Sequence, residues 1–295
     1  MEQICPLCGK DDIEVHIDAK GATLAAEALG SSRTTVAHGK VLRCRACQFV
    51  FSEFRPADEE LHTLYREMNP SVYEKEAPGR LKTAQRHLKK ISKYVTSGSL
   101  VDIGCASGSF LKVAADSGWK VTGVEPSEVL AGHAKELLQG RGEVYCATLQ
   151  EASLPRASFD VLTLWDVLEH VTDPLGFLTS CAQLIKPGGY LFANLPDISS
   201  LQARLMGERW PLLLAEHLNY FDRNTLTRCG EQAGLQRIAF DRRPATFTLG
   251  YVLYRLSQHR IPATGLAHRM VEGNALGSLS IPVYLGETFA VWSKP

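Results

Sequence analysis

The sequence has no surplus of charge: 32 Lys and Arg stand against 32 Asp and Glu. A protein that grips a phosphate backbone needs a cation for each phosphate it neutralises, so a nucleic-acid partner is disfavoured. No run approaches the roughly 20 apolar residues of a membrane-spanning helix, so membrane insertion is not expected. The start, Met1-Glu2-Gln3-Ile4-Cys5, lacks the basic residues and apolar stretch of a secretory signal. Internal repeats and low-complexity tracts are also missing. Eight cysteines in 295 residues do not make a disulfide framework. Without an export signal, the expected location is the cytoplasm.

What is present fills one large domain and a small appendage. Residues 1–55 hold two CxxC pairs and short alternating runs such as Ile13-Glu14-Val15-His16-Ile17. Those runs suit strands or hairpins, and residues 19–29 suit a short helix or an insert. Residues 56–97 form a linker with N-terminal helices. There Leu81, Ala84, Leu88, Ile91 and Val95 recur at helical spacing, with Lys82, Arg86, Lys89 and Lys90 outside the stripe. Those bases read first as a solvated face.

Residues 98–295 alternate strands and helices. Strands are expected at Ser99–Gly104, Trp119–Glu125, Val144–Ala147, Phe159–Trp165, Tyr190–Leu195, Leu235–Phe240 and Tyr284–Trp292. Helices fall near Gly108–Ser117, Ser127–Leu138, Pro174–Ile185 and Asn224–Ala233. Repeated βα units predict an α/β fold with a doubly wound, mostly parallel sheet.

The most informative segment is Val101-Asp102-Ile103-Gly104-Cys105-Ala106-Ser107-Gly108-Ser109-Phe110. It joins the first strand of the α/β domain to its first helix, where open parallel sheets bind ligands. The dinucleotide pattern GxGxxG would need glycine at 106 and 109, where Ala and Ser stand. Glu125 ends the second strand, 21 residues after Gly104, where a carboxylate reaches ribose hydroxyls and repels a 2′-phosphate.

An acidic residue followed by Gly-x-Ala-x-Gly resembles the first motif of class I S-adenosylmethionine (SAM)-dependent methyltransferases, with alanine for the middle glycine. Phe159–Val171 resembles that family's fourth-strand motif, Leu184–Leu191 the turn into its fifth strand, and Gly286–Pro295 its final strand. The likeness spans about residues 80–295. It implies a Rossmann-like sheet of seven strands whose last strand runs antiparallel. It also implies a SAM site built from Asp102, Gly104, Cys105, Ala106, Gly108, Phe110, Glu125, Pro126, Thr148, Leu149, Trp165 and Asp166. Asp102 would orient the methionine amino group, Thr148 and Leu149 would meet adenine, and Trp165 and Phe110 would shape the pocket.

Cys5-Pro6-Leu7-Cys8 and Cys44-Arg45-Ala46-Cys47 put two thiolates on each of two turns, an S4 set suited to structural Zn²⁺. The 35-residue gap exceeds the usual ribbon spacing, so His16 or His38 could replace a thiolate. With four protein ligands no position stays open for catalysis. A zinc-ribbon-like module ahead of this domain resembles bacterial sugar, polysaccharide and secondary-metabolite methyltransferases. Cys105, Cys146, Cys181 and Cys229 read as small core residues.

Residues 196–222 are too long for a turn and suit a substrate lid. Their Glu216-His217-Leu218-Asn219-Tyr220 string resembles a motif of sugar C-methyltransferases, in which Glu and His line the active site. That likeness makes His217 the first general-base candidate, with Glu216 orienting it or acting itself, and it brings the segment of Tyr73 over the site. His170, after the fourth strand, is the second candidate. The expected function is methyl transfer from SAM to a small molecule, first a sugar, glycan or related biosynthetic intermediate. A quinone-type O-methyltransferase is the alternative, since Glu169-His170-Val171 resembles those enzymes too. An RNA methyltransferase or a SAM-binding zinc-ribbon interaction protein are further readings.

Overall fold

Leu100-Val101-Asp102-Ile103 and Val161-Leu162-Thr163-Leu164 are buried on both faces, the pattern of strands covered by helices on each side. They form the centre of the sheet in the computed structural model, which describes residues 3–19, 38–57, 60–61, 63, 77–258 and 263–295. The segment expected as a helix or insert after Ala19, and Tyr73, lie outside those residues.

In chain order the elements begin with β1 (Ile13–Ile17), β2 (Val41–Cys44), β3 (Val50–Ser52) and α1 (Ala77–Ile91). Next come β4 (Ser99–Ile103), α2 (Ser109–Asp116), β5 (Lys120–Glu125), α3 (Glu128–Leu138) and β6 (Gly142–Cys146). Then follow β7 (Phe159–Trp165), α4 (Pro174–Leu184), β8 (Ile185–Pro196), α5 (Leu201–Met206) and β9 (Asn219–Tyr220). The chain closes with α6 (Arg223–Gln232), β10 (Gln236–Thr248), α7 (Leu249–Gln258), α8 (Thr264–Val271) and β11 (Ser280–Ser293).

The large sheet has the order β10-β11-β8-β7-β4-β5-β6. Its inner pairs are parallel, and β11 runs antiparallel to both β8 and β10. The carboxyl ends of β4, β5, β7 and β8 therefore share one edge. The start of β11 reaches the same edge, because Glu287 pairs with Pro196.

Local chemistry sets the helix starts. The Asp173 side chain accepts from Gly176 N, with Pro174 in the first turn of α4. Asp222 and Thr225 form a reciprocal capping box at α6. One expectation needs correcting: Lys186-Pro187-Gly188-Gly189 is not a turn between helix and strand but a bulge inside β8. Gly188 adopts φ +78°, its N–H donates to Lys294 O (2.8 Å), and Lys294 N–H donates to Gly189 O (2.8 Å). Pairing thereby skips from Phe159↔Ile185 to Val161↔Tyr190. The strands β10 and β11 also run past their expected ends and carry α7 and α8 between them.

β1, β2, β3 and β9 form a second, antiparallel sheet. Its last strand comes from the segment expected as a lid: Val50 pairs with Tyr220 and Phe51 with Asn219. Phe49, Phe51 and Phe221 are buried in the core that also holds Leu164 and Leu168. Each such ring removed from water contributes about 2–3 kcal/mol, so the N-terminal sheet is fastened by burial as well as by hydrogen bonds.

Candidate active site and cysteine centre

Between β4 and α2 the chain reverses within five residues. Gly104, Ala106 and Gly108 all take left-handed backbone, with φ +75°, +47° and +78°. A Cβ on Gly104 would lie 2.7 Å from Val167 Cγ2, and one on Gly108 would lie 2.9 Å from Ala134 Cα. Glycine is thus required at both ends by conformation and by space. Ala106 holds its conformation at a cost of about 1 kcal/mol.

The turn is tied to β5. Gly104 N–H and Cys105 N–H donate to Val124 O at 2.8 and 3.1 Å. Ala106 N–H donates to Glu125 Oε2 and Ser127 N–H to Glu125 Oε1, each at 2.9 Å. Glu125 therefore holds the turn and the start of α3 together, while its oxygens keep lone pairs for further donors. Thr163 Oγ1 donates to Asp102 Oδ1 at 2.6 Å. Burial pushes Asp102 up to about 8, against the Thr163 hydrogen bond and with help from the Glu125 charge. Burial pushes Glu125 up to about 7 despite its two backbone donors.

The other residues expected at the cofactor surround this pair. Ala147 N–H donates to Glu125 O at 3.1 Å, which sets the turn of Thr148 and Leu149 beside Glu125 and Pro126. Thr148 N–H donates to Glu151 Oε2 (2.8 Å). Phe110 meets Trp165 edge-on at 5.0 Å, and His87 stacks on Trp165 at 4.1 Å. Cys105 is buried, and a Cβ on Gly123 would lie 2.8 Å from its Sγ.

Asp166 follows β7 with φ +57°. Its N–H donates to Asn194 O (2.9 Å), and Asn194 Nδ2 donates to its Oδ1 (2.8 Å). The side chain is exposed at the carboxyl edge of the sheet, and the protein around it raises its carboxyl above the usual range, against the Asn194 hydrogen bond and the Arg80 charge. Asn194, Glu169 and Glu287 join it there, and sequence reasoning did not assign them. Burial pushes Glu287 up to about 8 and Glu169 well above the carboxylate range, with the Asp166 charge adding to both. A polar residue inside the apolar run Phe192-Ala193-Asn194-Leu195 was the available signal for Asn194.

The two histidine candidates meet. His170 and His217 pack edge-on with ring centroids 4.8 Å apart. Donor atoms of Glu169, His170 and His217 all lie within 4.8 Å of one another. His170 Nδ1 bonds to Glu216 O at 2.9 Å, and His217 Nδ1 bonds to Leu212 O at 2.8 Å. A carbonyl partner requires Nδ1–H, so each neutral ring carries its lone pair on Nε2. Burial lowers His170 to about 4 and holds His217 well below the usual imidazole range, helped by His170. Leu218 N–H and Asn219 N–H donate to Glu169 O at 2.7 and 3.0 Å, joining the lid segment to the exit of β7. Glu216 is itself buried, and its backbone carbonyl is what positions His170.

At the far end of the second sheet, Cys5 Sγ lies 3.6 Å from Cys47 Sγ and Cys8 Sγ lies 3.6 Å from Cys44 Sγ. All four sulfurs fall within 4.8 Å of one another. A tetrahedron with Zn–S bonds of about 2.3 Å has S···S edges of about 3.8 Å, so the four thiols fit a zinc ion. His16 and His38 bond elsewhere, to Arg43 and to Gly39 O. Burial pushes the Cys5 thiol up to about 11, so forming thiolates there calls for a compensating cation.

The Methyltransferase domain family matches residues 73–239, more than half of the 295. The chain belongs to that family, and its sheet order is that of class I SAM-dependent methyltransferases. It is 36% identical over 118 residues to the ubiquinone biosynthesis O-methyltransferase of Coxiella burnetii, covering 39% of this chain and 48% of that protein. The enzyme of that name from Vibrio cholerae is 37% identical over 97 residues, 32% of this chain and 40% of the relative. The chain thus spans less than half of the length of these relatives. Among solved structures, the [4+2]-cyclase SpnF aligns with TM-score 0.51 and 19% identity, covering 72% of this chain and 82% of that one. The YcgJ protein of Bacillus subtilis aligns with TM-score 0.50 and 13% identity, covering 72% and 98%. These two likenesses concern fold alone, and the cyclase shows that the fold does not dictate the reaction.

Proposed function

We propose that the protein transfers a methyl group from SAM to an oxygen of a small-molecule acceptor, in the manner of quinone-type O-methyltransferases. The observation that carries this reading is the left-handed turn of residues 104–108 closed by Glu125 with Asp102 beside it. Asp102, Gly104, Cys105, Ala106, Gly108, Phe110, Glu125, Pro126, Thr148, Leu149, Trp165 and Asp166 line the cofactor site in this proposal. Bound there, SAM would supply an electrophilic methyl group on a sulfonium.

The residues' own work is orientation and proton removal. Asp102 accepts from the cofactor amino group and Glu125 from ribose hydroxyls. The space beside Asp166 and Asn194 receives the acceptor and excludes water, which brings nucleophile and methyl group into line. His217, held by Leu212 O with its lone pair on Nε2, takes the acceptor proton, with His170 at its edge and Glu216 fixing His170. A buried histidine with lowered pKa is a weak base. It suits a phenolic hydroxyl, whose pKa is about 10, better than an alkyl one. That argument and the names of the relatives favour a quinone-type acceptor.

A sugar acceptor is the second reading, favoured by the Glu216-His217 string and by the cysteine centre, which we propose holds structural Zn²⁺ through Cys5, Cys8, Cys44 and Cys47. The deciding experiment incubates the protein with SAM and two panels, catechol-type phenols and nucleotide sugars, and reads products by mass. A methylated phenol supports the first reading. Methylation confined to the sugars would transfer the assignment to the second, and no product from either panel would reject both.

A further inference from the structure

Most of the exposed apolar surface lies at one end of the molecule. Of the thirteen large apolar side chains most open to solvent among the described residues, seven sit on two excursions. Leu201, Leu205 and Met206 are on α5, which follows the end of β8. Leu266 and Met270 are on α8, and Leu276 and Leu279 lie between it and β11. Both β10 and β8 run antiparallel to β11, so both excursions leave toward the same side of the sheet, the first at Pro196 opposite Glu287 and the second at Thr248, seven residues farther out opposite Ser280. That side also carries Asp166 and Asn194. Both sets of apolar prongs therefore project from the side of the sheet that carries the proposed acceptor site.

The prongs have a cationic border. Arg204 precedes Leu205 and Arg269 precedes Met270, each arginine exposed beside its apolar neighbour. Residues 77–95 hold six Lys or Arg and no Asp or Glu, in a chain whose net charge is zero. Lys82 and Lys89 are exposed on α1, and Lys93 is exposed just after it. Lys82 Nζ donates to Ser280 Oγ at 2.8 Å, next to exposed Leu279, so the basic face runs into the apolar rim. The acidic exceptions include Glu208 on the first excursion, Glu272, which lies 3.9 Å from His268 on the second, and Asp241, which pairs with Lys90 of α1.

We infer that this end of the molecule docks on an anionic lipid surface, with the leucines and Met270 entering the interface and the α1 lysines meeting headgroups. Aliphatic prongs flanked by Lys and Arg are the pattern of interfacial helices. Single-stranded nucleic acid would call for aromatic stacking platforms, and the prongs are aliphatic. A twofold contact with a second copy would set this basic face against itself. The inference stands independently of the acceptor's identity, because it rests on the surface and not on the site's chemistry.

The test is sedimentation of the full-length protein with vesicles of phosphatidylcholine, alone or mixed with phosphatidylglycerol, at low and high salt. Binding is expected to the mixed vesicles at low salt, reduced at high salt. L266S with M270S should weaken binding about tenfold, and K82E with K89E by about as much again. SAM affinity and the melting temperature of these surface variants should match the parent protein, which establishes that they are folded. Equal sedimentation with and without phosphatidylglycerol, or unchanged binding in both variant pairs, overturns the proposal. So does a parent dimer that the L266S and M270S pair converts to monomer, since a second copy would then cover the face.

Discussion

The two candidate sites of this protein are built by opposite means. The turn of residues 104–108 is held from inside a seven-stranded sheet: Val124 O, Glu125 and Thr163 fix it through hydrogen bonds from neighbouring strands. The cysteine centre sits at the tip of a small sheet that borrows its fourth strand from residues 219–220. In the first case the scaffold makes the site. In the second, Phe49 and Phe51 anchor the sheet in the main core, and a metal ion would be what draws the two cysteine turns together.

That contrast ranks the expected effects of substitution. Cys44→Ser should cause the largest change, loss of a zinc ion per chain with a marked fall in melting temperature, since structural zinc contributes several kcal/mol or more. Elemental analysis and thermal melting read this, and full zinc retention would erase the contrast. His217→Ala should slow methyl transfer on the order of 10²-fold with SAM affinity unchanged. An equal rate would return His217 to a packing role against His170 and Tyr220.

A third effect is pH dependence of cofactor binding. Burial raises Asp102 to about 8 and Glu125 to about 7 in the free protein, so at neutral pH Asp102 is mostly protonated and Glu125 about half, and those protons must leave for the cofactor's donors. SAM affinity should therefore rise from about pH 6 to about pH 9 and level off above, and Asp102→Asn should confine the rise to the range around pH 7 set by Glu125. The sign for stability is opposite. A carboxylate with a raised folded pKa binds protons more tightly folded than unfolded, so stability falls as pH climbs from about 4 to about 8. The smallest effect is local: Ala106→Gly should stabilise the protein by up to about 1 kcal/mol through relief of its left-handed φ.

The α/β half was legible because its strands are apolar on both faces and its helices carry written starts, at Asp173-Pro174 and Asp222. The turn was legible because only glycine fits at 104 and 108, a demand that shows directly in the sequence. Less legible were features made by pairing at a distance. Lys186-Pro187-Gly188-Gly189 looks like a helix stop, and only its bonds to Lys294 turn it into a bulge. Asn219-Tyr220 is too short to announce a strand, yet it completes the N-terminal sheet. Asn194 and Glu287 come together only because β8 and β11 are neighbours. The helices α7 and α8 interrupt a long hairpin; α7 starts on Thr248, whose Oγ1 accepts from Tyr251 N–H at 3.3 Å, a cap set inside a strand-like stretch, and α8 has no side-chain cap.

The central claim is that the scaffold-built turn binds SAM, and calorimetric titration tests it most directly. The wild-type protein should bind one SAM per chain, and Glu125→Ala should weaken binding about a hundredfold, as expected for losing hydrogen bonds to a buried carboxylate. No heat with the wild type, or the same affinity in the variant, would contradict the account.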